Sequence, residues 1–132
     1  MMYSLDTSFV IRLLTGEPTS LFKLAAEFLD QAESQGNRLY LDNLVLAESY
    51  FALQFHYHFS KKDALDSLKL LVKNPTIEIS PAAKSVLAKD GLATGKPGFV
   101  DLLIHAESQL TGNKLVTFEQ ASRKLDGTIV LK

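Results

Sequence analysis

Apolar and polar positions follow two different periods along this chain. The short runs "MYSL", "RLYL", "TIEIS", "KLVT" and "TIVL" read as strands. Between them lie longer segments whose apolar residues recur at helical spacing. After Pro18, which suits the first turn of a helix, Leu21, Leu24, Ala25, Phe28, Leu29 and Ala32 recur in this way, and Gly36-Asn37 ends the run. Beyond Ser60, Ala64, Leu65, Leu68, Leu71 and Val72 share one helical face. Further helices are predicted through "SFVIRLL", from a cap at Asp42 or Asn43 through "LVLAESYFALQFHY", from Pro81 through "AAKSVLAKDG", through "FVDLLIHAESQL" up to Thr111-Gly112, and briefly at "EQASRKL". "LATGKPG" is the one clear loop. Strands separated by helices imply right-handed crossovers, so the predicted class is α/β, with a central parallel sheet of about five strands flanked by helices. Functional residues then belong beyond the carboxyl ends of the strands. With no repeat, low-complexity segment or linker, residues 1–132 are expected to form a single domain.

Composition narrows the choice of function. Apolar residues make up 46% and charged residues 22%, a globular balance, and the net charge of −1 gives no overall field toward nucleic acid or anionic lipid. A locally basic groove remains compatible with it. The chain has no cysteine, which removes disulfides, thiolate zinc sites and cysteine nucleophiles together. The N-terminal apolar run is interrupted by Asp6 and Arg12, unlike a signal peptide, and nothing approaches the ~18 apolar residues of a membrane span. A soluble cytoplasmic protein is expected.

Four acids stand out against this background. Asp6 directly follows the first strand; Asp6, Thr7 or Ser8 could each cap the next helix, a role worth about 1 kcal/mol. Glu48 is the only charged residue between Asp42 and His56, in a helix apolar nearly all round, so it is expected to be partly desolvated. Its neighbours one turn away are Leu44, Val45, Phe51 and Ala52, so any partner comes from elsewhere: a basic side chain, a donor network or a metal. Asp101 lies in the first turn of its helix, where the helix dipole favours a negative charge, but "FV" and "LLI" around it suggest a helix wedged into core. Glu119 follows the fourth strand, and Thr117 with Gln120 fits a capping box that would make Glu119 a first-turn acid. Each acid has an innocent explanation alone. Two follow strand ends and two lie in helices with apolar flanks, so a parallel sheet could gather all four at one edge. Clustered carboxylates repel one another, and an all-oxygen set suits Mg²⁺ or Mn²⁺.

The segments "LDTSFVIRLL", "LVLAESYFAL", "GFVDLLIHA" and "LVTFEQASRKL", in this order and over essentially the whole chain, resemble the PIN-domain ribonucleases, specifically the small VapC-type toxins of toxin–antitoxin pairs. No single segment is specific; the four in order are. The resemblance implies an Mg²⁺- or Mn²⁺-dependent endoribonuclease with a five-stranded parallel sheet, hydrolysing RNA phosphodiesters with metal-activated water. It matches Asp6, Glu48 and Asp101 to the family's central acids, Thr7 or Ser8 to the hydroxyl after the first, and Thr117 to the hydroxyl before the last. The final acid is usually Asp, whereas this chain has Glu119, one methylene longer. The resemblance further implies a small antitoxin partner and a homodimer, for which Tyr50, Phe51, Phe55, Tyr57 and Phe59 could supply either interface or core. Arg12 and Lys96 are candidate phosphate contacts, although ordinary surface charge explains each alone.

Other readings fare worse. "GLATGK" has three residues between its glycines and Pro97 where a phosphate-binding loop needs Ser or Thr. His56 and His58 are two apart on a helix and do not face each other. No G-x-S-x-G elbow supports a serine hydrolase. A receiver-like signalling domain needs an Asp after the third strand, where this chain has "EISPAAK". The surviving alternative is a catalytically inactive PIN-like scaffold that binds RNA or a protein partner.

Overall fold

The strand nearest the N-terminus, β1 (Met2–Ser4), pairs in parallel with β2 (Arg38–Tyr40), and β2 pairs in parallel with β3 (Ile77–Glu78), giving the order β1-β2-β3 in a computed structural model that describes residues 1–131. Leu39 and Leu41 donate from β2 and its end to the carbonyls of Thr76 and Glu78, each at 2.8 Å, and both side chains are fully buried. Parallel strands require crossovers, and here helices supply them: α1 (Thr7–Thr15) and α2 (Thr19–Ser34) lead from β1 to β2, and α3 (Asn43–Phe55) and α4 (Lys61–Val72) lead from β2 to β3. These elements form one compact unit, Met1–Ser80. Its core is aliphatic, with Val10, Leu46, Leu53, Leu65 and Leu68 at 2% exposure or less.

The second unit, Pro81–Lys132, contains α5 (Pro81–Leu87), α6 (Phe99–Leu110), β4 (Leu115–Thr117), a 3₁₀ turn (Gln120–Lys124) and β5 (Thr128–Val130). β4 and β5 pair in parallel, and Val86, Phe99 and Leu103 are buried. His105 is also buried, and its Nε2 lies 2.7 Å from the Asp126 carbonyl, which places the ring proton on Nε2 and gives the residue a structural role.

The α/β class, the five strands and the parallel pairing are as the sequence predicts. Their hydrogen bonding differs: instead of one ladder of about five strands there are two, three strands in the first unit and two in the second. Strands of two or three residues offer only a few ladder bonds each, so pairing extends little beyond strands joined by one crossover. Among the described residues no helix is long and apolar enough to cross a membrane.

The caps fix where the helices start. Asp42 accepts from Leu44 N–H at 2.8 Å, and Ser60 accepts from Asp63 N–H at 3.0 Å. Gly16, at φ 71°, takes the left-handed conformation that ends α1, donating to the Arg12 carbonyl at 3.0 Å.

Candidate functional site

Asp6 occupies the cap of α1, in extended backbone directly after the first strand. Its Oδ1 accepts from the Ser8 hydroxyl at 2.7 Å and from Phe9 N–H at 3.0 Å. These bonds, the Ser8 one foremost, hold its carboxyl below the ordinary value of 3.8. Both fall on one oxygen. The capping role is real, and the Ser8 N–H adds to the hold on the carboxylate.

Glu48 overturns the expectation of burial: it is exposed. The reason lies in α3 itself. Leu44, Glu48, Phe51 and Phe55 recur at helical spacing on one face, and Leu44 and Phe55 are 68% and 71% exposed, so this face is apolar without being core. The buried face carries Leu46, Ser49, Tyr50 and Leu53. Glu48 Oε1 accepts from the Thr7 hydroxyl at 2.8 Å. Thr7 is the residue next to Asp6, so this bond brings the first two acids together across α1 and α3. The hydroxyls of Thr7 and Ser8 thus serve both acids, one each.

In the second unit Asp101 stands in the first turn of α6, whose cap is Gly98 and supplies no side-chain acceptor. Asp101 is exposed at the surface rather than wedged into core. Even so, its carboxyl is pushed above the ordinary 3.8, first by partial desolvation and second by the negative charge of Glu119. Glu119 is therefore near enough to Asp101 for like-charge repulsion to register. The capping box expected from Thr117 and Gln120 does not form. Glu119 is itself the cap of the 3₁₀ turn, its Oε1 accepting from Ala121 N–H at 3.1 Å, while its own N–H donates to the Thr117 hydroxyl at 3.0 Å. Gln120 instead accepts from Arg123 at 2.7 Å.

Each unit thus brings together one pair of the predicted acids. Among the described residues, ion pairs are confined to Arg38–Glu78 and Lys62–Asp66, so none of the four acids has a basic partner. No group of three or more His, Cys, Asp or Glu among the described residues is gathered closely enough to hold a metal ion. The donor chemistry still fits a hard cation: each pair is all oxygen, and Glu48 and Glu119 each use one carboxylate oxygen for a hydrogen bond and have none on the other among the described residues.

Sequence reasoning missed the surroundings of Arg12. It is half-buried, and its Nη1 donates to the Tyr57 hydroxyl at 3.1 Å and to the Glu17 carbonyl at 3.5 Å. Tyr57 lies 45 positions away, so no local pattern signals this contact. Arg12 and Asp6 both line a groove of about 660 Å³ along β1, α1 and α2.

The profile of the PIN domain matches residues 3–127. No curated protein matches the chain. Among solved structures the chain is similar to VapBC2 from Rickettsia felis, crystallised bound to a DNA fragment from its promoter, at 20% identity and a TM-score of 0.44, covering 99% of this chain and 98% of that one.

Proposed function

From the premise that this chain belongs to the PIN domain family, we propose that it is a metal-dependent endoribonuclease that hydrolyses RNA phosphodiester bonds in the cytoplasm as the toxin of a toxin–antitoxin pair. The observation that carries it is the set of carboxylates paired within each unit yet lacking any basic partner among the described residues. Uncompensated acids held beside one another stabilise little by themselves, which is the signature of groups arranged for a ligand.

Asp6 with Glu48 in the first unit, and Asp101 with Glu119 in the second, are the proposed ligands of Mg²⁺ or Mn²⁺, directly or through water. When bound, such an ion lowers the pKa of water and neutralises charge building on the phosphate. The chain's own residues set the orientation. Ser8 fixes one oxygen of Asp6, Thr7 fixes one of Glu48, and the other oxygen of Glu48 is left for the ligand. The Thr117 hydroxyl accepts from Glu119 N–H and so keeps its own proton to donate to a carboxylate or phosphate oxygen. A small antitoxin is the inhibiting partner, and the exposed Leu44, Phe51 and Phe55 along α3 support a homodimer.

One observation favours a second reading, an inactive PIN scaffold that binds RNA or protein. The acid in the last position is Glu119, and it is engaged as a helix cap.

One experiment separates the two. With Mg²⁺ or Mn²⁺ the purified protein should cleave single-stranded RNA, and excess EDTA should stop it. Asn caps a helix as well as Asp, so Asp6→Asn should remain folded while losing at least about 100-fold in rate. Cleavage that survives either EDTA or Asp6→Asn removes the catalytic assignment, and absence of any cleavage favours the scaffold.

A further inference from the structure

A half-buried guanidinium normally meets a carboxylate, because its charge is costly to leave uncompensated. Arg12 does not. Its acceptors are a phenol and a backbone carbonyl, both neutral, and the ion pairs among the described residues lie elsewhere. Both bonds go to Nη1, so Nη2 and Nε carry no hydrogen bond among the described residues. These two N–H groups form the planar fork that phosphate accepts in bidentate fashion. The position is equally specific. Arg12 lines the groove that Asp6 also lines, and Tyr3 and Phe28, partly exposed at 37% and 39%, form an aromatic wall with their rings edge to face at 5.6 Å. A fixed cation beside exposed aromatic surface is what a single-stranded nucleic acid offers ligands for: phosphate to the cation, sugar and base to the rings.

We propose that Arg12 binds a phosphate of the RNA substrate next to the one cleaved, and that Tyr57 is the positioning residue that holds the guanidinium for it. The proposal rests on the endoribonuclease reading and adds the subsite through which that activity selects its polyanionic substrate. Tyr57 reaches Arg12 from beyond the end of α3, the helix that carries Glu48, so one helix and the turn after it orient both an acid and the phosphate anchor.

The test uses the full chain and a labelled single-stranded RNA of mixed sequence with Mg²⁺, with KM and kcat measured across a range of salt. Arg12→Ala should raise KM about tenfold or more while changing kcat much less, and should reduce the slope of log KM against log salt by about 0.7, the loss of one phosphate contact on a single strand. Arg12→Lys should restore the salt slope and only part of the KM, because a point charge lacks the fork. Tyr57→Phe should raise KM severalfold with the slope kept. Arg12→Lys and Tyr57→Phe preserve side-chain bulk and decide the matter if Arg12→Ala fails to fold. Unchanged KM and salt slope in folded Arg12 variants overturns the proposal while the nuclease reading stands. So does a defect confined to binding a protein partner. A wild-type chain that cuts no RNA fails the nuclease reading, and this inference with it.

Discussion

The carboxylates show how far single residues can be read. That Asp6 caps α1 was legible from its place between a strand and a helix, and the cap forms with Ser8 and Phe9 as donors. The link from Thr7 to Glu48 spans 41 positions and was not legible, because only the packing of α1 on α3 creates it. Asp101 permits a sharper test. Its carboxyl binds a proton more tightly in the folded chain than in the unfolded one, so the ionised form opposes folding. That penalty is absent at pH well below the ordinary value of 3.8, grows as pH rises through the raised folded value, and is constant above it. Asp101→Asn should therefore raise the melting temperature of the metal-free protein slightly at pH 7, and the gain should vanish well below pH 3.8. Thermal unfolding of both proteins across this pH range in EDTA checks it. A lower or unchanged melting temperature at pH 7 would show that Glu119 and desolvation do not burden Asp101.

Elements were more legible than the faces they present. Periodicity and caps located all six α-helices and all five strands among the described residues, and errors lie mainly at ends, as where "TIEIS" yields only Ile77–Glu78. Faces failed where an apolar stripe is uncovered. On α2, Leu21, Leu24 and Phe28 are 42%, 63% and 39% exposed, and the buried positions are Ala25 and Ala32. On α3, the same composition all round concealed one buried and one exposed face, since periodicity cannot distinguish apolar surface kept for a partner from apolar surface kept for the core. The aromatic cluster divides accordingly: Tyr50 is buried, while Phe51 and Phe55 are exposed and stack on each other at 6.2 Å. In dilute protein Phe55→Ser should cost about 0.5 kcal/mol or less, whereas Leu53→Ala, two residues earlier and fully buried, should cost roughly 2–5 kcal/mol. Urea unfolding of the two variants decides it. Equal costs would mean that the outward face of α3 belongs to the core.

At the scale of the whole molecule, the α/β class followed from the alternation of elements, but the division into units at Ser80 did not. The segment around it, "TIEISPAAK", has no linker composition, and strand pairing between distant segments leaves no local mark. The four acids are distributed two to each unit, and metal binding to either pair has a thermodynamic consequence. An ion that binds only the folded chain stabilises it by about 2.7 kcal/mol at a free concentration 100 times its dissociation constant. For a chain of this length that corresponds to roughly 5–10 °C in melting temperature. Mn²⁺ or Mg²⁺ should therefore raise the melting temperature of the wild-type protein, read against the same protein in EDTA. Asp6→Asn should lose the part of that rise that the first unit's pair supplies, and Asp101→Asn the part that the second unit's pair supplies. A rise lost in only one variant would confine the ligands to that unit, and a rise of wild-type size in both would leave the acids without an ion to hold.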